Sequence, residues 1–135
     1  MLSESAYGAH AFFLPHVVQQ FDAAVWAWRD YVRTTEQHGP DIARQRRSTT
    51  LLHEIAHRGI HSSETLATAL TVVDATIDEQ EHRSRSTRVM PAFCMIINRA
   101  LGHQRTLIQC LYHRSQALED RLKNESTLVS EDALI

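Results

Sequence analysis

The sequence predicts an all-α protein of three long helices, in which an antiparallel coiled-coil-like helical hairpin carries an additional N-terminal helix packed along it. Two observations support this fold class. Glycine and proline break helices, and the 135 residues include only 4 Gly and 3 Pro, so long uninterrupted helices are permitted. Apolar residues also recur at alternating steps of three and four, which is the period of helices that pack along a seam. The length suits a single helical domain, residues 1–135.

The first helix is expected at about residues 14–38. Pro15 suits a first helical turn, because proline lacks the backbone N–H that has no helical partner there. Gly39 followed by Pro40 predicts the end of this helix. One apolar stripe runs along it at spacings of three and four, and consists of Val18, Phe21, Val25, Trp28 and Val32.

The second helix is expected at about residues 48–82. Its seam residues alternate steps of four and three: Leu52, Ala56, Gly59, Ser63, Leu66, Leu70, Val73 and Ile77. Small residues fill the first half of this seam and large aliphatic residues fill the second. A partner helix must therefore approach closely near Gly59 and Ser63, and less closely near Leu70.

The third helix is expected at about residues 90–129, with Pro91 in its first turn. Its seam has the same period, over Ile97, Leu101, Gln104, Ile108, Leu111, Ser115, Leu118, Leu122, Glu125 and Val129. Arg121 and Glu125 are spaced as an i,i+4 charge pair on its flank. Two matching seams joined by a short turn predict the antiparallel hairpin, along which the first helix packs.

Composition argues against several partners. A formal net charge of -2 provides no field that would attract nucleic acid. The apolar run Met90–Ile97 is far shorter than the roughly 20 residues that cross a bilayer, and the N-terminus lacks the basic start of a secretory signal. We therefore expect a cytoplasmic chain with no nucleic acid partner and no direct membrane insertion.

Cys94 and Cys110 are about 24 Å apart on one helix, which predicts two unpaired, buried thiols in a reducing compartment.

The stretch LLHEIAH contains His53, Glu54 and His57 in the H-E-x-x-H order of zinc peptidases. On the seam of the second helix, however, His53, His57 and His61 turn progressively from the seam edge to solvent, and no third ligand is close. The preferred interpretation is a row of solvated histidines. The alternatives are adventitious binding of a divalent ion by the three imidazoles and a small zinc metallopeptidase. We expect no catalytic residues, no cofactor or cofactor-binding residues, and no metal ligands.

Three longer segments carry more specific patterns: LPHVVQQFDAAVWAWRDYVR, LLHEIAHRGIHSSETLATALTVVD and HRSQALEDRLKNESTLV. Together they cover most of residues 14–129, and they resemble the soluble part of the fungal CorA-like magnesium transporter family. The matching residues are Phe21, Asp22, Trp26, Arg29, His53–Ala56, Ser63–Leu66, Arg114, Ser115, Leu118, Arg121, Leu122, Asn124 and Glu125.

The resemblance implies a non-enzymatic cytoplasmic helical stalk of a divalent metal ion transporter, which is membrane-bound in full-length family members. Those proteins continue into two transmembrane segments with a Gly-Met-Asn loop, so the resemblance implies that this chain is truncated before the membrane. The expected partners are a second copy of the chain or full-length transporter subunits. Self-association is expected on a face near the C-terminal end, formed by Gln104, Leu107, Tyr112, Glu125 and Val129. The alternative function is a free-standing helical protein-interaction module.

Overall fold

The computed structural model describes residues 8–43, 47–86 and 91–133, apart from the side chains of residues 35, 38–43, 47–52, 55, 86, 91 and 125–133. These ranges correspond to three helices, α1 (Gly8–Ala43), α2 (Arg47–Ser86) and α3 (Pro91–Ala133). All described residues are helical, which confirms the predicted all-α fold class.

The chain divides into two compact units, and each helix contributes one segment to each of them. Unit 1 contains α1 up to Asp22 together with Leu66–Leu111. Unit 2 contains Ala23–Thr65 together with α3 from Tyr112 onward. The second half of α2 is thus grouped with the first half of α3, and the first half of α2 with the last half of α3. This grouping is the antiparallel α2–α3 hairpin that the two seams predict.

Apart from Cys94, the buried apolar residues of each unit are residues of the predicted α1 stripe or of the predicted α2 and α3 seams. In unit 1 the buried apolar side chains are Val18, Leu66, Val73, Cys94, Ile97, Leu101, Ile108 and Leu111. In unit 2 they are Val25, Trp28, Val32, Leu118 and Leu122. Two polar residues of unit 2, Ser63 and Ser115, are also buried. Burial of this apolar surface is the main stabilising contribution to each unit.

The helix ends differ from the sequence-based expectation. Helix α1 begins at Gly8 rather than near residue 14, so Pro15 lies inside the helix and not in its first turn as predicted. The helix continues through Gly39 and Pro40 to Ala43. The predicted stop at Gly39 and Pro40 was therefore wrong. The cost of Pro40, one lost backbone hydrogen bond and crowding of the carbonyl four residues earlier, does not end the helix. Helix α2 extends beyond residue 82 to Ser86, with Arg83 and Arg85 in the last turn, where positive charge interacts favourably with the helix dipole. Helix α3 begins at Pro91 as predicted and ends at Ala133 rather than near residue 129.

Two predictions about burial need correction. Leu70 and Ile77 of the α2 seam are half-buried rather than part of the closed core. Both cysteines are free, but only Cys94 is buried, and Cys110 is exposed. Cys110 lies two residues after the seam residue Ile108, and this position turns the side chain away from the helix partner.

Candidate functional site

In unit 2, two arginine side chains lie against the ring of Trp26 in α1. The guanidinium carbon of Arg29 lies 4.6 Å from the centroid of the Trp26 ring, and that of Arg114, from α3, lies 5.0 Å from it. Neither arginine forms an ion pair with a carboxylate among the described residues. Trp26 is 41% exposed, so its ring holds two positive charges from two helices at the protein surface through cation–π attraction.

A close contact between α1 and α2 lies in the same unit. Trp28 is buried, and its ring occupies the space in which a side chain on Gly59 would lie: a Cβ atom there would be 2.1 Å from Trp28 Cζ2. The sequence predicts that a partner helix approaches closely at Gly59, whereas the structure places the indole ring of Trp28, from α1, at this position. Only glycine leaves room for the ring, which explains the small residue at this seam position.

The hydroxyl groups of Ser63 and Ser115 join α2 to α3 in the core of unit 2. Their Oγ atoms are 2.8 Å apart, and both side chains are buried. Each hydroxyl is the hydrogen-bond partner of the other, so neither polar group remains unpaired in the apolar seam. This pair also fixes the register of the two helices, because a shift of one residue would separate the two hydroxyls.

An ion pair connects α1 to α3 at the surface of unit 2. Arg121 donates from Nε to Glu36 Oε1 at 2.8 Å and from Nη2 to Glu36 Oε2 at 2.6 Å. The hydrogen bond to Glu36 raises the pKa of Arg121, and the negative charge of Glu36 adds to this increase. The sequence suggests Glu125 as the partner of Arg121; the Glu125 side chain lies outside the described residues, and the observed partner is Glu36.

Unit 1 contains a comparable ion pair between α2 and α3. Arg105 donates from Nε and Nη2 to the two carboxylate oxygens of Asp74, and from Nη1 to Gln109 Oε1 at 3.2 Å. The hydrogen bond to Asp74 and the charge of that carboxylate raise the pKa of Arg105. Asp74 and Arg105 are both half-buried at the edge of the seam, so they screen the apolar core of this unit from water.

His53, His57 and His61 of α2 are exposed, in agreement with the seam prediction. Glu54, which would serve as the base in a zinc peptidase, accepts a hydrogen bond from Arg58 at 3.1 Å. The rings of His57 and His61 are in contact, with centroids 5.2 Å apart and planes at 78°. In the part of the chain that the structure describes, no group of three or more His, Cys, Asp or Glu side chains is placed to hold a metal ion.

The face expected to self-associate is only partly described. Leu107 is 38% exposed, whereas Gln104 and Tyr112 are half-buried. The side chains of Glu125 and Val129 lie outside the described residues. Self-association on this face stays a prediction.

The pair Trp26–Arg114 and the contact of Trp28 with Gly59 were not predicted from the sequence. The spacing of Trp26 and Arg29 indicates one face of a helix, but only the fold brings Arg114 to the same ring.

None of the helices in the described ranges has a stretch that is both long and apolar enough to cross a membrane. No family model, curated protein or solved structure matches the chain.

Proposed function

We propose that the chain is a non-enzymatic helical stalk domain of the type found on the cytoplasmic side of CorA-like magnesium transporters. One observation carries this proposal: residues of the three segments that resemble the family contact one another in unit 2. Trp26 and Arg29 of the first segment meet Arg114 of the third. Ser63 of the second segment forms a hydrogen bond with Ser115 of the third.

These contacts favour a structural role for the shared residues. A buried hydroxyl pair fixes helix register, and cation–π contacts hold a surface tryptophan between two helices. Arg121, also in the third segment, ties α3 to Glu36 of α1 through two hydrogen bonds. Residues that maintain the packing of three long helices are what a stalk requires.

The proposal leads to an expectation about the transcript downstream of the codon for Ile135. We expect two apolar segments of about 20 residues each, joined by a loop that contains Gly-Met-Asn. Sequencing full-length transcripts from the source cells tests this expectation. Transcripts that lack an apolar pair in every isoform would remove the transporter assignment.

The second experiment tests the expected partners. The tagged chain is expressed with a full-length CorA-like transporter of the same cells, and the membranes are solubilised in mild detergent. We expect the transporter to co-purify with the tagged chain, and His53→Ala, a change of an exposed side chain, to leave the yield unchanged. A chain that purifies without any transporter, at expression levels that give a folded protein by circular dichroism, argues for the alternative.

The alternative is a free-standing helical protein-interaction module. The observation in its favour is an exposed aromatic patch in unit 1, formed by Phe12 and Phe13, which are 59% and 62% exposed. Their rings meet edge to face, with centroids 5.3 Å apart. Large exposed aromatic side chains are typical of surfaces that bind other proteins. A partner captured through Phe12 and Phe13 in the absence of any transporter would favour this module.

A further inference from the structure

His57 and His61 lie on adjacent turns of α2 within unit 2, and both side chains are exposed. Their ring centroids are 5.2 Å apart, and the ring planes are nearly perpendicular, at 78°. We propose that these two imidazoles form a binding site for a divalent transition metal ion of the zinc, nickel and copper class. The proposal does not depend on the stalk function.

The spacing of the two rings suits one shared ion. Zinc binds imidazole nitrogen at about 2.0 to 2.1 Å with tetrahedral angles, and two imidazoles on such an ion have centroids roughly 5 Å apart. The observed centroid separation of 5.2 Å is compatible with this value.

The surroundings of the pair are compatible with a cation. Arg58, the nearest arginine in sequence, donates to Glu54 at 3.1 Å, and this carboxylate offsets its positive charge. Two imidazole ligands leave the remaining coordination positions of the ion to water. Such an open site binds reversibly and more weakly than a closed structural zinc site.

The ligand type determines which ions bind. Imidazole nitrogen suits zinc, copper and nickel, whereas magnesium and calcium prefer oxygen ligands. The pair therefore selects transition metal ions and does not bind magnesium. This selectivity separates the site from the proposed transporter function, in which magnesium is the transported ion.

The structure also distinguishes this pair from the other histidine pair with the same sequence spacing. His53 and His57 are also four residues apart, but the ring that contacts His57 is that of His61. We therefore expect His61 and His57 to be ligands and His53 to have little effect. His53→Ala is the matched control, because it removes an exposed imidazole one turn away on the same helix.

The test is a titration of the 135-residue chain with Zn²⁺ and, separately, Ni²⁺, at about pH 7.5. A competing chromophoric chelator reports the dissociation constant. We expect one ion per chain, binding at least tenfold weaker in His57→Ala and in His61→Ala, and no binding of Mg²⁺. His53→Ala should change the dissociation constant less than twofold. Cys110→Ser should also keep the binding, which excludes the exposed thiol as the ligand.

A structural readout accompanies the titration. Because the two ligands lie on successive turns of one helix, a bound ion should raise the thermal unfolding midpoint of the wild-type chain, and leave that of the His57→Ala/His61→Ala variant unchanged. Circular dichroism verifies that the variants remain helical. The proposal is overturned if the double variant binds zinc as tightly as the wild type, or if His53→Ala weakens binding as much as His61→Ala does.

Discussion

The indole ring of Trp28 packs directly against Gly59 in unit 2. A Cβ atom on Gly59 would lie 2.1 Å from Trp28 Cζ2 and 2.8 Å from Cε2. Gly59→Ala must displace a buried indole ring, and overpacking of this kind costs about 1 to 3 kcal/mol. We expect the free energy of unfolding in urea to fall by that amount, although alanine is the better helix former.

Gly102 supplies the matched control. It lies within α3, and a Cβ atom there would have no neighbour within 4 Å. Gly102→Ala should therefore stabilise the chain by about 0.5 to 1 kcal/mol, because alanine loses less backbone entropy than glycine when the helix forms. A Gly59→Ala variant that is as stable as Gly102→Ala would contradict the observed position of the Trp28 ring.

The Ser63–Ser115 hydrogen bond gives a second prediction at the residue scale. Ser63→Ala or Ser115→Ala alone leaves one buried hydroxyl without its partner, which costs about 1 to 2 kcal/mol. The double variant removes both hydroxyls and should recover most of that loss. Denaturant titrations of the four proteins form a double-mutant cycle, and a coupling energy near zero would show that the two hydroxyls do not interact in solution.

Helix α2 provides a comparison of two leucines on one seam. Leu66 is 1% exposed, whereas Leu70 is half-buried. The sequence alone suggests a large loss for Leu70→Ala. With the observed burial, we expect about 2 to 4 kcal/mol for Leu66→Ala and about 1 to 2 kcal/mol for Leu70→Ala. His53→Ala, on the exposed face, should stay within about 0.5 kcal/mol. If urea titrations show a larger loss of unfolding free energy for Leu70→Ala than for Leu66→Ala, the observed burial of the two leucines is contradicted.

The three helices, their order and their seams could be predicted from the sequence, because the spacing of apolar residues along the chain matches the period of a packed helix. Val25, Val32, Leu101 and Ile108 are buried at the positions where the period places them. Helix ends were predicted less well, because the cost of Pro40 depends on its distance from the last turn, which spacing does not report. Leu66 is more buried than Leu70 although both lie on the same seam. The difference depends on how the neighbouring helices pack around each leucine, and the spacing of residues along α2 does not determine this.

The candidate site illustrates the same limit. Asp74 and Arg105 each follow a predicted seam position by one residue, and flanking positions of this kind form salt bridges between helices. That ion pair was therefore accessible to sequence reasoning. The contacts of Trp26 with Arg114, and of Arg121 with Glu36, join residues more than eighty positions apart on different helices. Periodicity within each helix does not determine which flank of α1 meets α3.

The two compact units raise the question of whether the molecule unfolds in one step. Each helix runs without a break through both units, so partial unfolding would interrupt the hydrogen bonds of three helices at once. Helix formation is cooperative, because restarting a helix costs a new nucleus. We expect a single transition in scanning calorimetry, with the calorimetric and van 't Hoff enthalpies equal within error. Two resolved transitions would show that the single-domain prediction was wrong.

The two tryptophans differ in surroundings although only one residue separates them. Trp28 is 6% exposed against Gly59, whereas Trp26 is 41% exposed beside two guanidinium groups. The fluorescence of the native protein can therefore report on both surroundings without an added label. The Arg29 and Arg114 charges concentrate anions at Trp26, so iodide should quench its fluorescence more strongly than the cation caesium does. In Trp26→Phe, the remaining emission should be blue-shifted and nearly insensitive to both quenchers until the α1–α2 contact opens.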